Sequence, residues 1–218
     1  MDRKTPIDPR SWSRREHFEH YRNVVPCTYS LTVDLDVTRL AAALRQSDRK
    51  TYPTQTWAIA SVVNRHEEFR LSVTSPGDPE VWEVVHPSFT VFNAERETFS
   101  SVWVRFDEDF ARFHAQALDV VDEHRNATAM FPQAGRPANL FDISSLPWAS
   151  FTGFTLDIAG GHDHFAPIFT LGRYMRQGDR VLLPLAVQIH HAAADGFHTA
   201  RLVNELQELF DACGDWLR

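Results

Sequence analysis

The spacing of apolar positions changes several times along the chain, and each change marks an expected element. Phe110, Phe113, Ala117, Val120 and Val121 recur at the spacing of one helix face and predict a helix from Asp107 to about His124. Phe197, Ala200, Val203, Leu206, Leu209 and Phe210 form a second stripe and predict a final helix over 197–213. Three more helices are signalled by their starts. Ser13 and Glu16 have capping-box spacing for a helix over 12–22, Asp36 stands as N-cap before 37–45, and Pro53 opens 53–65 as a favoured first-turn residue. Alternating, β-branched or aromatic runs predict strands at 29–33, 81–85, 89–92, 99–106, 149–158, 165–171 and 181–189. The last is almost wholly apolar, as a strand buried on both faces should be. The pattern is mixed α and β.

Composition narrows the class. A length of 218 residues suits one large domain or two small ones, and with no internal repeat and no linker a single domain over 1–218 is expected. With 43% apolar and 23% charged residues, disorder, collagen-like repeats and coiled coil are excluded. Lys and Arg number 22 against 29 Asp and Glu, a net charge of −7 without a basic run, so neither nucleic acid nor an anionic membrane surface is expected as a partner. A polyanionic small ligand needs a local basic patch to offset that field. Cys27 and Cys213 lie far apart and outside any C-x-x-C, which excludes a disulfide framework and fits a reducing compartment. The N-terminus lacks the apolar segment of a signal peptide, and the longest apolar stretch, 181–187, is interrupted by Pro184. A membrane helix needs about 20 apolar residues, so a soluble cytoplasmic protein is expected.

The densest cluster of reactive side chains is His190-His191-Ala192-Ala193-Ala194-Asp195-Gly196-Phe197-His198, where an apolar strand gives way to a helix. Strand ends open into the crevice beyond a sheet, a favoured place for chemistry. His191 and Asp195 are four residues apart, and one helical turn would bring the carboxylate beside the imidazole. The plainer reading is equally open: one histidine packs in the core and Asp195 caps the last helix. A metal set drawn from His190, His191, Asp195 and His198, with His17, His20, His162 and His164 in reserve, is disfavoured. Adjacent histidines on a strand point to opposite faces, and H-E-x-x-H is absent. No G-x-S-x-G, P-loop or G-x-G-x-x-G occurs, which lowers hydrolase, kinase and dinucleotide-dependent readings. Asp142-Ile143-Ser144-Ser145-Leu146-Pro147-Trp148 is rich in hydroxyls and reads by itself as a turn before a strand.

The run from Gln188 to His198 resembles the active-site signature of chloramphenicol acetyltransferases. The resemblance continues in order along nearly the whole chain: Trp12 with Arg14-Arg15-Glu16-His17-Phe18, Val91-Phe92-Asn93 with Glu97-Thr98-Phe99-Ser100, Ser144 before Leu146-Pro147-Trp148, 165–170, and Gly178-Asp179-Arg180 with 182–185. The H-H-x-x-x-D-G core is shared with dihydrolipoyl acyltransferases, carnitine acyltransferases and peptide-synthetase condensation domains, so it marks the superfamily. The flanking motifs and the length mark the family. The resemblance implies a two-layer α/β fold of the CoA-dependent acyltransferase kind, a mixed sheet with helices mainly on one face, assembled as a homotrimer with active sites between subunits.

It also implies direct acetyl transfer from acetyl-CoA, a co-substrate rather than a permanently bound cofactor, to the primary hydroxyl of chloramphenicol. His191 would be the general base, Ser144 the oxyanion donor, and Asp195 a structural residue paired with Arg14. Thr170 would support the intermediate near Ser144, and Tyr21, Val25, Tyr29, Phe99, Phe131 and Leu156 would line the acceptor pocket. Lys50 and Arg173 would face the coenzyme. Two positions depart from the family pattern. Ala194 replaces a usual cysteine, which predicts poor inactivation by thiol reagents, and Asp142 adds an acid near Ser144, with 160–164 also divergent. An acyltransferase for another alcohol or amine, and a non-catalytic binder of drug or acyl-CoA, are the alternatives.

Overall fold

The computed structural model describes residues 3–73, 77–156, 158 and 163–217. Three short strands, β1 (Lys4–Pro6), β3 (Leu71–Val73) and β4 (Pro79–Trp82), form a small antiparallel sheet in the order β1-β4-β3. The main sheet contains β2 (Thr28–Asp36), β5 (His86–Asn93), β6 (Thr98–Trp103), β7 (Leu140–Leu146), β8 (Ile168–Gly172), β9 (Met175–Gln177) and β10 (Arg180–His190). Its order is β2-β10-β8-β7-β5-β6, with β9 pairing the start of β10. The β7 strand runs parallel to both β5 and β8, and the remaining pairs are antiparallel, so the sheet is mixed.

Central position explains the composition of β10. Flanked by β2 on one side and by β8 and β9 on the other, it is buried from Leu182 to His190. Leu183, Leu185, Val187 and Ile189 face the main core, which they share with Phe89, Phe141, Ile143 and Phe169. Over that face pack α2 (Thr38–Arg45), α3 (Thr51–Arg65), α4 (Phe110–His124), α5 (Gly196–Asp211) and the short α6 (Cys213–Trp216), giving the two-layer α/β architecture. Gly172 is required where β8 turns past β10, because a Cβ there would lie 3.0 Å from Pro184 Cβ and from a Phe151 ring carbon. No helix among the described residues is long and apolar enough to cross a membrane.

Several boundaries differ from the sequence expectation, each for a physical reason. The helix expected over 12–22 is only α1 (Arg15–Glu19), continued by a π-helical turn over His20–Val24. Ser13 does not cap it; the N-cap is Arg14, whose side chain is engaged elsewhere. Helix α4 begins at Phe110, since Asp109 and not Asp107 accepts the backbone N–H of Arg112 at 3.0 Å. The N-cap of α2 is Val37 and not Asp36, which lies one residue before it, its carboxylate accepting from Thr38 N at 3.0 Å and Thr38 Oγ1 at 2.6 Å. The strand expected at 149–158 is absent among the described residues. The strand is instead β7, where buried Phe141 and Ile143 alternate with Asp142 and Ser144, so Ser144 lies in the sheet and not in a turn. Short polar side chains on its outer face and Pro147 beyond it had masked the period of two.

A second core joins α1 to the small sheet through Phe18, Leu71, Val81 and Phe165. Ala192 and Ala193 belong to this cluster and Ala194 to the main one, so the segment after β10 is wedged between both cores.

Candidate active site

The ladder between β10 and β2 ends at His190 and Thr28, and the His191 N–H then donates to the Cys27 carbonyl at 3.0 Å. Strand alternation sends the two histidines opposite ways. His190 is buried, its ring 4.8 Å from that of Phe165 and its Nδ1 accepting from Ala192 N at 3.1 Å. His191 lies half-buried in an aromatic clamp, stacked on Tyr21 with centroids 3.7 Å apart and rings 5° from parallel, and meeting Tyr29 edge-on at 5.3 Å. Tyr21 is delivered by the π-helical turn, which gives that irregularity its structural role. His191 Nδ1 is buried and makes no hydrogen bond among the described residues, which leaves Nε2 as the nitrogen open to a ligand. Tyr29 is held by its hydroxyl, 2.5 Å from Thr199 Oγ1, and burial raises its pKa, so it stays protonated at neutral pH.

Asp195 does not reach His191. Residues 191–193 form a turn and 194–195 are irregular, so no helix makes the four-residue spacing bring the pair together. The carboxylate accepts from Arg14 Nη1 at 2.7 Å and, as N-cap of α5, from Phe197 N at 3.1 Å. His198 Nδ1 lies 2.8 Å from Asp195 Oδ1 and 3.3 Å from the Asp195 backbone nitrogen. One ring nitrogen cannot both donate and accept, and the shorter contact makes it a donor to the carboxylate. Burial pushes the Asp195 pKa up, but the bonds from Arg14 and His198 outweigh it and hold the group down at about 2. Asp195 therefore caps the helix and anchors Arg14 at once.

Ser144 Oγ lies 3.2 Å from Thr170 Oγ1, a contact set by the parallel register of β7 and β8. Ser144, Thr170 and Ala186 occupy one row across three strands. His191 is five residues beyond Ala186. At about 3.3 Å per residue and 4.8 Å per strand, its Cα is roughly 19 Å from that of Ser144. A base and an oxyanion donor must both lie within about 3 Å of atoms on one carbonyl carbon. A single chain does not bring these two residues together.

The other expected pocket positions divide in the same way. Tyr21 and Tyr29 clamp His191, Val25 is exposed just beyond the π-helical turn, and Leu156 is tied to β10 by its N–H to Gln188 Oε1 at 3.0 Å. Phe99 and Phe131 lie exposed at the opposite edge of the sheet, Phe99 on β6 paired with Phe92, and Phe131 under the Arg136 guanidinium at 4.9 Å. Gly160, Gly161 and His162 lie outside the described residues. His17, His20, His164 and His198 do not converge with His191, and among the described residues no group of three or more metal-binding side chains forms a site. Ala194 is fully buried, so a cysteine there would be shielded, whereas half-buried Cys27 adjoins His191 through the backbone. Burial at position 194 shields whatever residue stands there, so the replacement of cysteine by alanine does not by itself set the sensitivity to thiol reagents.

A cleft with no counterpart in the sequence reading opens between β5 and β7. Their ladder stops at Phe89 and Ile143, and beyond it the Tyr52 hydroxyl fills the gap, accepting from Thr90 N at 3.3 Å and donating to the Ile143 carbonyl at 3.2 Å. Burial raises the Tyr52 pKa to about 12. Past this bridge is a cleft of about 610 Å³ lined by Tyr52, Phe92, Val121, Ser145, Pro147 and Trp148. Ser145 adjoins Ser144, so the cleft reaches the strand that carries it. Lys50 and Arg173 are exposed and flank Thr51 and Tyr174, which line a neighbouring hollow with Arg45, Arg49 and Arg176. Gln55 Nε2 donating to the Tyr174 hydroxyl at 2.9 Å joins the two segments. This is a local basic rim on a protein of net negative charge.

Comparison with known proteins gives a consistent picture. A family model described as Chloramphenicol acetyltransferase matches residues 3–207. A protein of Streptomyces acrimycini named chloramphenicol acetyltransferase is 65% identical over 204 residues, covering 94% of this chain and 93% of that one. A solved chloramphenicol acetyltransferase structure superposes with a TM-score of 0.88 at 19% identity, over 95% of this chain and 100% of the other. The Azotobacter vinelandii dihydrolipoamide acetyltransferase superposes with a TM-score of 0.68 at 18% identity, over 91% of this chain and 87% of that one. At these identities the two structures show the shared fold alone.

Proposed function

The chain belongs to the chloramphenicol acetyltransferase family, and from that premise we propose how its residues transfer acetyl from acetyl-CoA to chloramphenicol. The observation that carries the reading is His191, fixed between Tyr21 and Tyr29 at the end of the central strand with Nε2 left open. An alcohol is far too weak an acid to ionise near neutral pH. Nε2 accepts the proton of the drug's primary hydroxyl while its oxygen forms a bond to the thioester carbon. The carbonyl oxygen gains charge and accepts a hydrogen bond from Ser144 Oγ, itself held against Thr170. Collapse breaks the carbon–sulfur bond, and the coenzyme thiolate takes the proton back from the imidazolium. No acyl-enzyme is needed.

The separation of His191 from Ser144 within one chain supports a site shared between copies. Among the exposed large apolar residues are two groups, Val24, Val25, Leu156 and Phe197 towards the His191 end, and Phe92, Phe99, Met130, Phe131 and Trp148 along the β5–β6 side. A heterologous contact joining one group to the other on the next copy closes into a ring, and a homotrimer is the closure that the family resemblance implies. His191 of one subunit then meets Ser144, Phe99 and Phe131 of its neighbour. The pantetheine arm enters by the cleft beside Tyr52 and Trp148, and Lys50, Arg173 and the neighbouring arginines take the phosphates. Each subunit is one catalytic domain, and the cytoplasm, where acetyl-CoA is available, is its place of action.

Purified protein mixed with acetyl-CoA and chloramphenicol should release coenzyme thiol only when the drug is present. Ser144→Ala should lower kcat by about 10²–10³-fold, the usual cost of one oxyanion donor, with KM nearly unchanged. Release with other alcohols or amines but not with the drug would identify a different acceptor. Tight drug binding without turnover of any acceptor would replace catalysis by sequestration.

A further inference from the structure

We propose that Arg136 compensates the charge of Asp142 beside the oxyanion position, and so acts as a positioning residue for turnover; the inference rests on the role given above to Ser144. Phe141 and Ile143 point into the core, so Asp142 and Ser144 share the other face of β7, with Cα atoms about 7 Å apart. Asp142 therefore places a carboxylate, its side chain 45% exposed, beside the place where a negative oxygen develops. A like charge at that range opposes the transition state unless a cation offsets it.

The cation is Arg136, whose Nη2 lies 3.7 Å from Asp142 Oδ1. Its guanidinium is fixed by groups that carry no charge. Nη2 donates to Ser88 Oγ at 2.8 Å and Nη1 to Ser101 Oγ at 3.3 Å, and the two serine oxygens are 2.9 Å from each other. Ser88 is the register partner of Asp142 on β5, so both lie on the face that carries Ser144. The guanidinium sits over the ring of Phe131, 4.9 Å from its centroid. Two hydroxyls and an aromatic ring orient the positive charge without consuming it, and Asp142 receives it. The departure at position 142 and the arginine at 136 thus form one electrostatic unit.

The test is a double-substitution cycle in the whole enzyme, read as kcat and KM for the drug. Arg136→Met should lower kcat about tenfold to fiftyfold, the effect of an uncovered charge about 7 Å away at an effective dielectric of 20 or somewhat above. Asp142→Asn alone should not lower kcat, because it leaves the cation uncovered beside the developing negative charge, and the double variant should recover kcat to within about threefold of wild type. KM for the drug should rise in both variants lacking Arg136 and should not recover, because the support of Phe131 is lost in each. An unchanged kcat in Arg136→Met, or a loss that Asp142→Asn does not recover, would overturn the proposal and leave Arg136 a packing residue. Ser144→Ala serves as the control. If it is impaired while Arg136→Met is not, only this inference fails; if it is not impaired, the oxyanion reading fails first.

Discussion

His191→Ala is expected to lower kcat by about 10²–10⁴-fold, the range for loss of a positioned general base, or roughly 3–5 kcal/mol of barrier. The imidazole is held by ring contacts and by its backbone N–H, so its removal should leave the fold and both substrate affinities close to wild type. Steady-state thiol-release kinetics with each substrate varied in turn separate the effects. A fall in kcat with little change in either KM marks a group that acts in the transition state. A rise in KM at unchanged kcat would make His191 a binding residue and remove the base from the mechanism.

The second large effect is on stability. Asp195→Asn removes the partner of Arg14, whose side chain is 14% exposed and whose Nε and Nη2 already lack hydrogen bonds. Leaving that guanidinium buried without its counter-charge should cost about 2–4 kcal/mol, below the full cost for a deeply buried pair because Asp195 is 31% exposed. Denaturant unfolding at neutral pH measures it. The pair also sets a pH dependence. The folded carboxyl is held at about 2 against the ordinary aspartate value of 3.8, so between these values the unfolded chain binds more protons and stability rises with pH. The contribution is complete above about pH 4 and is lost as pH falls towards 2; after discounting for solvent screening it is about 1–2 kcal/mol. The difference between wild type and Asp195→Asn should therefore narrow in acid. A constant difference would show that the ion pair is not its source. Because Asp195 touches Arg14, Phe197 N and His198 but not His191, any loss of turnover in this variant comes through displacement of 191–195.

The parts of the molecule legible in sequence are those whose signal is local. β10 and α5 follow from an apolar run and a stripe, and the junction between them gathers its histidines and acid within nine residues. β7 was hidden because Asp142, Ser144 and Ser145 look like turn residues, although Phe141 and Ile143 carry the period of two once the partner strands are known. The meaning of the His191 to Asp195 spacing depended on whether the intervening residues form a helix, and a wedge between two cores made them a turn. Tyr52 had no signal at all. Its role as a bridge exists only because the β5–β7 ladder ends at Phe89 and Ile143. Arg136 is likewise only six residues from Asp142 in sequence, but what holds it beside Asp142 is Ser88 and Ser101 on other strands. The largest illegible feature is the distance between His191 and Ser144, since a register five residues and two strands apart has no imprint on either motif.

Complementation between two defective chains probes the separation of His191 from Ser144. His191→Ala and Ser144→Ala chains, each nearly inactive alone, would be co-expressed in equal amounts with different tags, and the doubly tagged assemblies purified together with the bulk mixture. If each site takes His191 from one subunit and Ser144 from the next, one interface in four receives both intact residues, and the random mixture should recover about a quarter of wild-type activity. If the site is built within one chain, every site carries one defect, and the mixture should show no more activity than its parents.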